Sequence, residues 1–480
     1  MKFKSLLLTL LISSVLVSCK KDPGENRSGN QELPTYMTIE VKLPSKQMGR
    51  APDDNVTGNQ DGTYAGNDLI KTLDVYMQSA DGTIERRRFE GKEIAVSTGS
   101  GGTPTVSPSA PFLTTSGNKT LFIVLNDVTE LGSTFGPGSA NNLIATDNLA
   151  AVEGGQDVIV MTGRSSINVA PSISMQQAAN GENRQAINVT RVVSRAILTH
   201  TLGNFAFDDG NGITGSLTEL KYSIAQGTTM IYWLTPTGAD IYNSYGYDYI
   251  PKINVSGDVH YVGADYAVKY YDYSDLSTPT DIPVKPAEAD GYKGLDGKFL
   301  FENTHVFGTT RETAGYRKGN TAYVLVSVTF APDAGVITDG GTLTGGTFYV
   351  GASNGKIYSS KTEAQKAVEN QKVRTYLHGK MYYFAWLNPD SVTEPLNSPV
   401  LRNNIYHINV RSFNALGQTW NPLYPENPDS VSPQNPNPKP GPDEPDSSID
   451  PYDPLSVEET YMTVDATVLD WTVNSYNIDF

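Results

Sequence analysis

The sequence is poor in the two residues that most often hold metals. It has one cysteine, and its five histidines are scattered without an H-x-x-x-H pair, so the spacing predicts no metal site and we expect no cofactor. One cysteine also excludes disulfide bonds within the chain, so stability must come from apolar burial and sheet hydrogen bonds. The histidines are His200, His260, His305, His378 and His407.

Basic residues are also in the minority. The 480 residues include 36 Lys and Arg against 52 Asp and Glu, a net charge of −16. Phosphate backbones are bound by clustered Lys and Arg, so nucleic acid is excluded as the expected partner. The acidity indicates a solvated, self-repelling surface.

Long apolar runs are missing except at the N-terminus. There "LLLTLLISSVLVS" follows Lys2 and Lys4, and its 13 residues fall short of the roughly 20 that a spanning helix needs. The pattern is typical of a signal peptide. It ends in "LVSC", where a small residue precedes Cys19, as in a bacterial lipobox whose thiol receives diacylglycerol. The alternative is a signal peptide that merely contains a cysteine.

Catalytic motifs are incomplete. "GASNG" at 351–355 matches G-x-S-x-G, but Asn354-Gly355 between "TFYV" and "KIYS" predicts a hairpin in place of the required helix. "TGSGG" at 98–102 lacks a phosphate-loop setting, and "DDGNG" at 208–212 fails the EF-hand spacing. Two carboxylates distant in sequence could still meet, but no pair favours an enzyme.

Gly (44), Pro (29) and short alternating segments predict a mainly β protein of sandwich type. A capping box, Ser360 with Glu363, stands ahead of "AQKAVENQKV" and predicts a helix there, and 139–152 is a second helix candidate. The interval 203–215 indicates a break between domains. The predicted strands are 69–78, 121–126, 157–161, 186–202, 217–224, 230–235, 322–330, 345–350, 381–387 and 404–411.

Two clusters allow both a structural and a binding interpretation. Residues 242–273 carry nine tyrosines, which can bind glycans but also belong on ordinary β faces. The "RRR" at 86–88 is predicted to lie on a solvated strand edge.

The two ends of the chain have sheet-forming patterns. Residues 35–54, "TYMTIEVKLPSKQMGRAPDD", alternate and then reach Arg50 in a loop of protease-accessible character. Residues 421–454 hold 11 of the 29 prolines and predict an extended arm. Beyond it, the apolar phase flips twice, and each flip implies a bulge or turn. The apolar positions are Met37, Ile39, Val41 and Leu43 at one end, and Met462, Val464, Ala466, Val468, Leu469, Trp471, Val473, Tyr476, Ile478 and Phe480 at the other.

These ends suggest strand exchange. A sandwich that loses one strand exposes unpaired edges and an apolar groove. Cutting after Arg50 would free the first strand, and the C-terminal strand of another copy could enter by β-augmentation. Such a head-to-tail contact does not close and gives a filament. The alternative is that both strands pair within their own chain and Arg50 lies in an ordinary loop.

The order of these features resembles the fimbrillins of Bacteroidetes, the subunits of donor-strand (type V) pili, and most closely the short-fimbria, minor-fimbrium type. The similarity spans nearly the whole chain. The motifs that carry it are "LVSCKK", "YMTIEVKLPSKQMGR" before "APDD", "APFLTTSGNKTLFIVLN" at 110–126, "VTRVVSRA" at 189–196, "RNNIYHINV" at 402–410 and "TVDATVLDW" at 463–471.

The resemblance implies two tandem transthyretin-like β-sandwich domains with few short helices, and an outer-membrane lipoprotein that matures into a cell-surface fimbrium. It implies acylation of Cys19, cleavage of the Arg50–Ala51 bond by an arginine-specific surface protease, a displaced strand Met37–Leu43 and a donor within Met462–Phe480. The long Pro-rich arm departs from the pattern and leaves the donor's extent open. The expected divisions are a signal peptide 1–19, a propeptide 20–50, an N-terminal domain 51–205, a C-terminal domain 206–420, an arm 421–455 and a donor region 456–480.

The expected partners are other copies of the chain, accessory, anchor and tip fimbrillins, the protease, host or bacterial adhesion ligands, and the membrane through the precursor's lipid. Removing 50 residues with 8 basic and 4 acidic side chains takes the net charge from −16 to 28 − 48 = −20. Three other interpretations are open: an accessory or tip subunit, a monomeric glycan-binding surface lipoprotein, and, least favoured, a secreted hydrolase. A glycan array on the processed protein would separate the glycan-binding monomer from a structural subunit of the fimbria.

Overall fold

The computed structural model describes residues 32–44, 60–98, 104–127, 143–234, 271–287, 292, 295–423, 441–445, 449–456, 462–473 and 477–478. Within these ranges the chain is mainly β, as predicted, with two short α-helices. None of the helices in these ranges has the length and apolarity to cross a bilayer.

The first half of the chain supplies short strands separated by turns, and one helix, α1 (Met175–Ala179). Its strands are β1 (Pro34–Lys42), β2 (Gln60–Gly66), β3 (Leu69–Ile70), β4 (Thr72–Ser79), β5 (Ile84–Glu90), β6 (Ile94–Thr98), β7 (Pro104–Pro108), β8 (Phe112–Thr115), β9 (Gly117–Leu125), β10 (Leu143–Ala145), β11 (Ala150–Glu153), β12 (Gln156–Ile159), β13 (Met161–Val169), β14 (Arg184–Asn188) and β15 (Thr190–Arg191).

The chain from residue 194 onward supplies the remaining strands and the helix α2 (Lys361–Ala367), whose first turn is capped by Ser360 as predicted. Its strands are β16 (Ser194–His200), β17 (Ala206–Asp208), β18 (Thr214–Ala225), β19 (Gly227–Thr228), β20 (Met230–Tyr232), β21 (Tyr271–Asp272), β22 (Thr280–Asp281), β23 (Lys298–Leu300), β24 (Tyr323–Pro332), β25 (Phe348–Gly351), β26 (Ile357–Tyr358), β27 (Val373–Tyr376), β28 (Lys380–Trp386), β29 (Ile405–Phe413), β30 (Met462–Val473) and β31 (Asn477–Ile478).

The first sandwich consists of two sheets that share one apolar core. One sheet has the order β14-β1-β7-β6, with β8 also pairing with β1, and the other has the order β15-β13-β9-β4-β5. Alternate side chains of both sheets are buried between them, including Val75 and Ile123 from one layer and Val106 and Ile187 from the other. "RRR" lies on β5, at an edge, as predicted.

The second sandwich also has two sheets. One has the order β2-β30-β29-β16-β23, and the other has the order β17-β18-β24-β28, with β22 on β18. Its core combines Leu198, Val326 and Ile408 with Met462 and Ala466 of the C-terminal strand.

A third apolar cluster joins the two sandwiches. Tyr76, Phe122 and Val124 lie on β4 and β9 of the first sandwich, on the face of that sheet opposite to the first-sandwich core. They pack with Trp233 and Ile405 in one cluster, which we call the junction cluster. The two faces of the sheet that contains β4 and β9 are thus buried in two different apolar clusters.

The described parts of the Pro-rich arm lie against the second sandwich. Leu455 is fully buried in an aromatic cluster with Tyr323 and Trp386, and the Trp386 Nε1 donates to the Ser456 carbonyl at 2.9 Å. Side chains alternate between the two faces of a sheet, so Tyr323 and Trp386 face away from the core that buries their neighbours. Their outer face is where Leu455 docks. The sequence predicted an arm, and these parts of it are docked.

Two segment predictions are wrong. Residues 139–152 do not form the predicted helix where they are described, because Leu143–Ala145 and Ala150–Glu153 pair as strands with β20 and β12. Residues 186–202 are not one strand: they divide into β14, β15 and β16, and β16 pairs with β29 and β23 of the second sandwich. Val192 and Val193 between them are buried in the junction cluster, so the chain changes sandwich before residue 194.

Candidate functional site

The candidate site is the slot that β1 occupies in the first sandwich. On one side, Thr38 to Lys42 pair in parallel with Arg184 to Asn188 of β14. On the other side, the first half of β1 pairs antiparallel with β8, and its second half pairs with β7. β1 is therefore an internal strand, and its removal would leave two unpaired edges facing each other.

The four apolar residues predicted for this strand all face the core. Met37, Ile39, Val41 and Leu43 are at most 2 % exposed, whereas Lys42 between them is exposed. Burial of such side chains contributes roughly 1.5–3 kcal/mol each. These four side chains make the strand a major part of the first-sandwich core.

The segment 170–183, which contains α1, closes the N-terminal end of the slot. The Thr35 hydroxyl donates to the Ala170 carbonyl at 2.8 Å and accepts from the Ile173 amide at 3.0 Å. The Asn183 side chain donates to the Tyr36 carbonyl at 3.0 Å. Asn183 has φ 54°, a left-handed conformation that Asn tolerates better than most residues. We call the polar groups of Ala170, Ile173 and Asn183 the notch.

The predicted donor lies in the chain's own second sandwich. β30 runs between β29 (antiparallel) and β2 (parallel), and β31 pairs with β3. Met462 and Ala466 are buried in the core, and Val464 packs against it. The strand is continuous through Val468 and Leu469, and the irregularity expected at this first phase flip lies in the partner β2, between Gln60 and Thr63.

The other predicted donor residues lie on two strands where they are described. Val468, Leu469, Trp471 and Val473 lie on β30, and Ile478 lies on β31. Cys19, Arg50, Ala51, Tyr476 and Phe480 lie outside the described residues.

Three buried arginine–carboxylate pairs surround the junction of the sandwiches. Arg191 binds Asp68 through Nε (3.0 Å) and Nη2 (2.7 Å), and its Nη1 donates to Asn403 Oδ1 at 3.0 Å. The other pairs are Arg195 with Asp157 at 2.6 Å and Arg402 with Glu302 at 2.7 Å. Burial raises the pKa of Asp157, and the Arg195 charge opposes that rise.

Sequence reasoning missed the role of these arginines. Their signal is visible in "VTRVVSRA" and "VLRNN", where an arginine stands among apolar residues. A charged side chain in such a setting is buried only when it is paired, but nothing in the sequence identifies the partners.

The described residues offer little catalytic apparatus. They contain no cluster of three or more His, Cys, Asp or Glu side chains suited to a metal ion. Ser353 lies in the turn between β25 and β26, which pair antiparallel, as the hairpin prediction required. Of the tyrosine-rich segment, Tyr271 and Tyr273 are described and buried, so these two are structural.

Comparisons with known proteins identify relatives of the chain. The family described as "Major fimbrial subunit protein type IV, Fimbrillin, C-terminal" matches residues 374–477. Two Minor fimbrium subunit Mfa1 proteins of Porphyromonas gingivalis are 31 % identical to the chain, and each match covers 99 % of both sequences.

Similar solved structures include a putative cell adhesion protein of Parabacteroides distasonis, with 14 % identity, TM-score 0.43 and coverage of 92 % of this chain and all of that one. A fimbrilin (FimA) of Porphyromonas gingivalis shows 13 % identity, TM-score 0.41 and coverage of 93 % and 99 %.

Proposed function

Because the chain belongs to the fimbrillin family of the minor-fimbrium subunit Mfa1, it is a fimbrial subunit of the cell surface, and we propose that it is a stalk subunit polymerised by donor-strand exchange. In this proposal the precursor is exported as a lipoprotein acylated at Cys19. An arginine-specific protease cuts Arg50–Ala51, β1 leaves, and the C-terminal strand of another copy fills the slot. The protein acts by strand exchange and not by catalysis.

The position of β1 is the observation that carries the proposal. It is internal to a sheet, and together with the next residue, Leu43, it supplies four nearly inaccessible apolar side chains, yet Arg50 follows it within ten positions in the sequence. Loss of such a strand leaves a groove with two open edges, a geometry that drives pairing with another strand. An edge strand would give no such groove.

The C-terminal strand is suited to be the donor. Near its beginning, Met462 and Ala466 are buried in the home core, whereas its last positions, 470 to 473, pair with β2 alone. This difference favours an anchored part up to Ala466 and an exchangeable part beyond it. A tip subunit would need no such strand, and an anchor subunit would need no cleavage site at Arg50.

The experiment is controlled cleavage of the purified precursor. Trypsin and an arginine-specific protease should both convert the wild-type chain into ladders that resist mild denaturation. Arg50→Ala should give no ladder with the arginine-specific enzyme, and deletion of 461–480 or Val473→Asp should suppress the ladder with both enzymes. Arg50→Lys is the matched control, because it should polymerise with trypsin and not with the arginine-specific enzyme. With the arginine-specific enzyme, equal polymerisation of Arg50→Ala and wild type would show that the trigger is elsewhere.

A further inference from the structure

The notch does more than hold β1 in the precursor. Thr35 is 1 % exposed, and its hydroxyl is both donor and acceptor there, to the Ala170 carbonyl and from the Ile173 amide. The backbone continues the pattern, since the Tyr36 amide donates to the Ile173 carbonyl at 3.0 Å. A strand that refills the slot buries the same loop groups again, and a buried amide without an acceptor is costly.

Resting on the proposed exchange, we infer that the notch selects a hydroxyl and thereby sets the register of the incoming strand, with Thr467 of the neighbouring copy taking the place of Thr35. The pattern of β1 is a hydroxyl followed by apolar residues two, four and six positions later. In the C-terminal residues 461–480, read in the same direction, only Thr467 meets it, followed by Leu469, Trp471 and Val473.

The home position of β30 is consistent with this register. Ala466 pairs with Ile408 and is buried in the home core, while Thr467 and Leu469 pair with His407 and Ile405 on the alternate positions. Because strand residues alternate between faces, the positions 467, 469, 471 and 473 form a set distinct from the one that Met462 and Ala466 commit to the home core. The change of apolar alternation between Val468 and Leu469 thus gives the strand a second set of apolar residues: Leu469, Trp471 and Val473.

Charge supports the same direction of entry. In β1, Thr38 pairs with Arg184, which is exposed. The offset that brings Thr467 to position 35 brings Asp470 opposite Arg184, and opposite charges across neighbouring strands are favourable. If the donor strand entered in the opposite direction, Ser475 would meet the notch and Thr472 would face Arg184, so that direction offers no opposite charge at this position. Trp471 is larger than Ile39, so the proposed register requires the two layers to separate slightly around it.

The test compares hydroxyl variants of the processed full-length chain. Thr467→Val should slow ladder formation about tenfold, the effect of one lost buried hydrogen bond, and Thr467→Ser should restore it. Thr463→Val removes a hydroxyl from the anchored part and should assemble like wild type. If Thr467 only stabilised β30 within its own subunit, Thr467→Val would loosen that strand and speed exchange. The direction of the change in rate therefore separates the two roles. Equal rates for Thr467→Val and wild type, with Arg50→Ala still inert, would overturn the inference and leave the exchange standing.

Cross-linking gives a second, independent readout. Cys19 is the only cysteine, and it precedes the cleavage site, so the processed chain accepts engineered pairs. Leu113 pairs with Tyr36 in the precursor. Subunits with Leu113→Cys should therefore form a disulfide with neighbours that carry Val468→Cys. A disulfide with Asn474→Cys instead would show reversed entry and would contradict the assignment of Thr467.

Discussion

Arg191 and Asp68 are separated by 123 positions in sequence and form a bidentate ion pair in which both side chains are inaccessible to solvent. The same guanidinium reaches Asn403, close to the start of β29 in the second sandwich. One arginine of the first sandwich therefore binds both the segment that leads into β3 and the segment that leads into β29. This contact fixes the sandwiches to each other around an apolar junction.

Arg191→Met should destabilise the precursor strongly. Removing one partner of a buried pair leaves an uncompensated charge, here Asp68, and such changes cost about 3–5 kcal/mol. Urea unfolding would measure the loss. Arg374→Met, at an exposed position of β27, is the control and should change the free energy of unfolding little. Similar values for the two variants would show that the buried pair does not stabilise the junction.

Ile39→Ala should weaken the precursor but not the processed subunit. The side chain is 1 % exposed, and truncating a buried isoleucine to alanine costs about 2–5 kcal/mol. After cleavage and exchange, β1 is gone, so the variant filament and the wild-type filament should melt alike. Lys42→Ala, at an exposed position of the same strand, should affect neither form. A defect that persists in the assembled filament would mean that β1 is retained.

Acid should destabilise the second sandwich through His407. Burial, with a smaller contribution from Lys285, lowers the pKa of His407 to about 3, and its Nε2 lies 2.7 Å from the Thr199 hydroxyl. The unfolded chain binds this proton near pH 6.5, so stability falls as pH decreases from 6.5 towards 3, by up to about 1.4 kcal/mol per pH unit. His305, whose pKa burial lowers to about 4, adds in the same direction.

Urea unfolding at several pH values measures this slope. His407→Gln should flatten the part of it that His407 contributes. An unaltered slope in His407→Gln would show that this histidine is charged in the folded protein.

Leu455→Ala should loosen the arm. Leu455 is fully buried beside Trp386, so truncation should cost about 2–5 kcal/mol and let water reach the indole. Tryptophan fluorescence should shift to the red, and the arm should become easier to proteolyse. Leu377→Ala, at a leucine that is 37 % exposed, is the control. Unchanged fluorescence would place the arm elsewhere in solution.

Local patterns predicted much of the fold. The alternation of Met37, Ile39, Val41 and Leu43 predicted both the strand and its buried face, and Ser360 predicted the start of α2. The missed helix α1 carries the same kind of signal, because Ser174 and Gln177 form a capping box. These features depend on residues within a few positions of each other, which sequence displays directly.

Long-range partners could not be predicted in this way. β2, "QDGTYAG", has little alternation, and its strand state comes from pairing with β30, some 400 residues later. The wrong helix at 139–152 has the same origin, since Leu143 to Ala145 pair with β20 across a wide sequence separation. The docking of Leu455 depends on an aromatic face that exists only after β24 and β28 have paired.

The most direct test is a cryo-electron microscopy structure of filaments made from the cleaved precursor. Donor-strand exchange predicts that the strand between β14 and β7 belongs to the C-terminal segment of a neighbouring subunit and that residues 35–43 are absent. A filament in which β30 and β31 remain wholly on their own subunit, while that slot is empty or still holds β1, would contradict it.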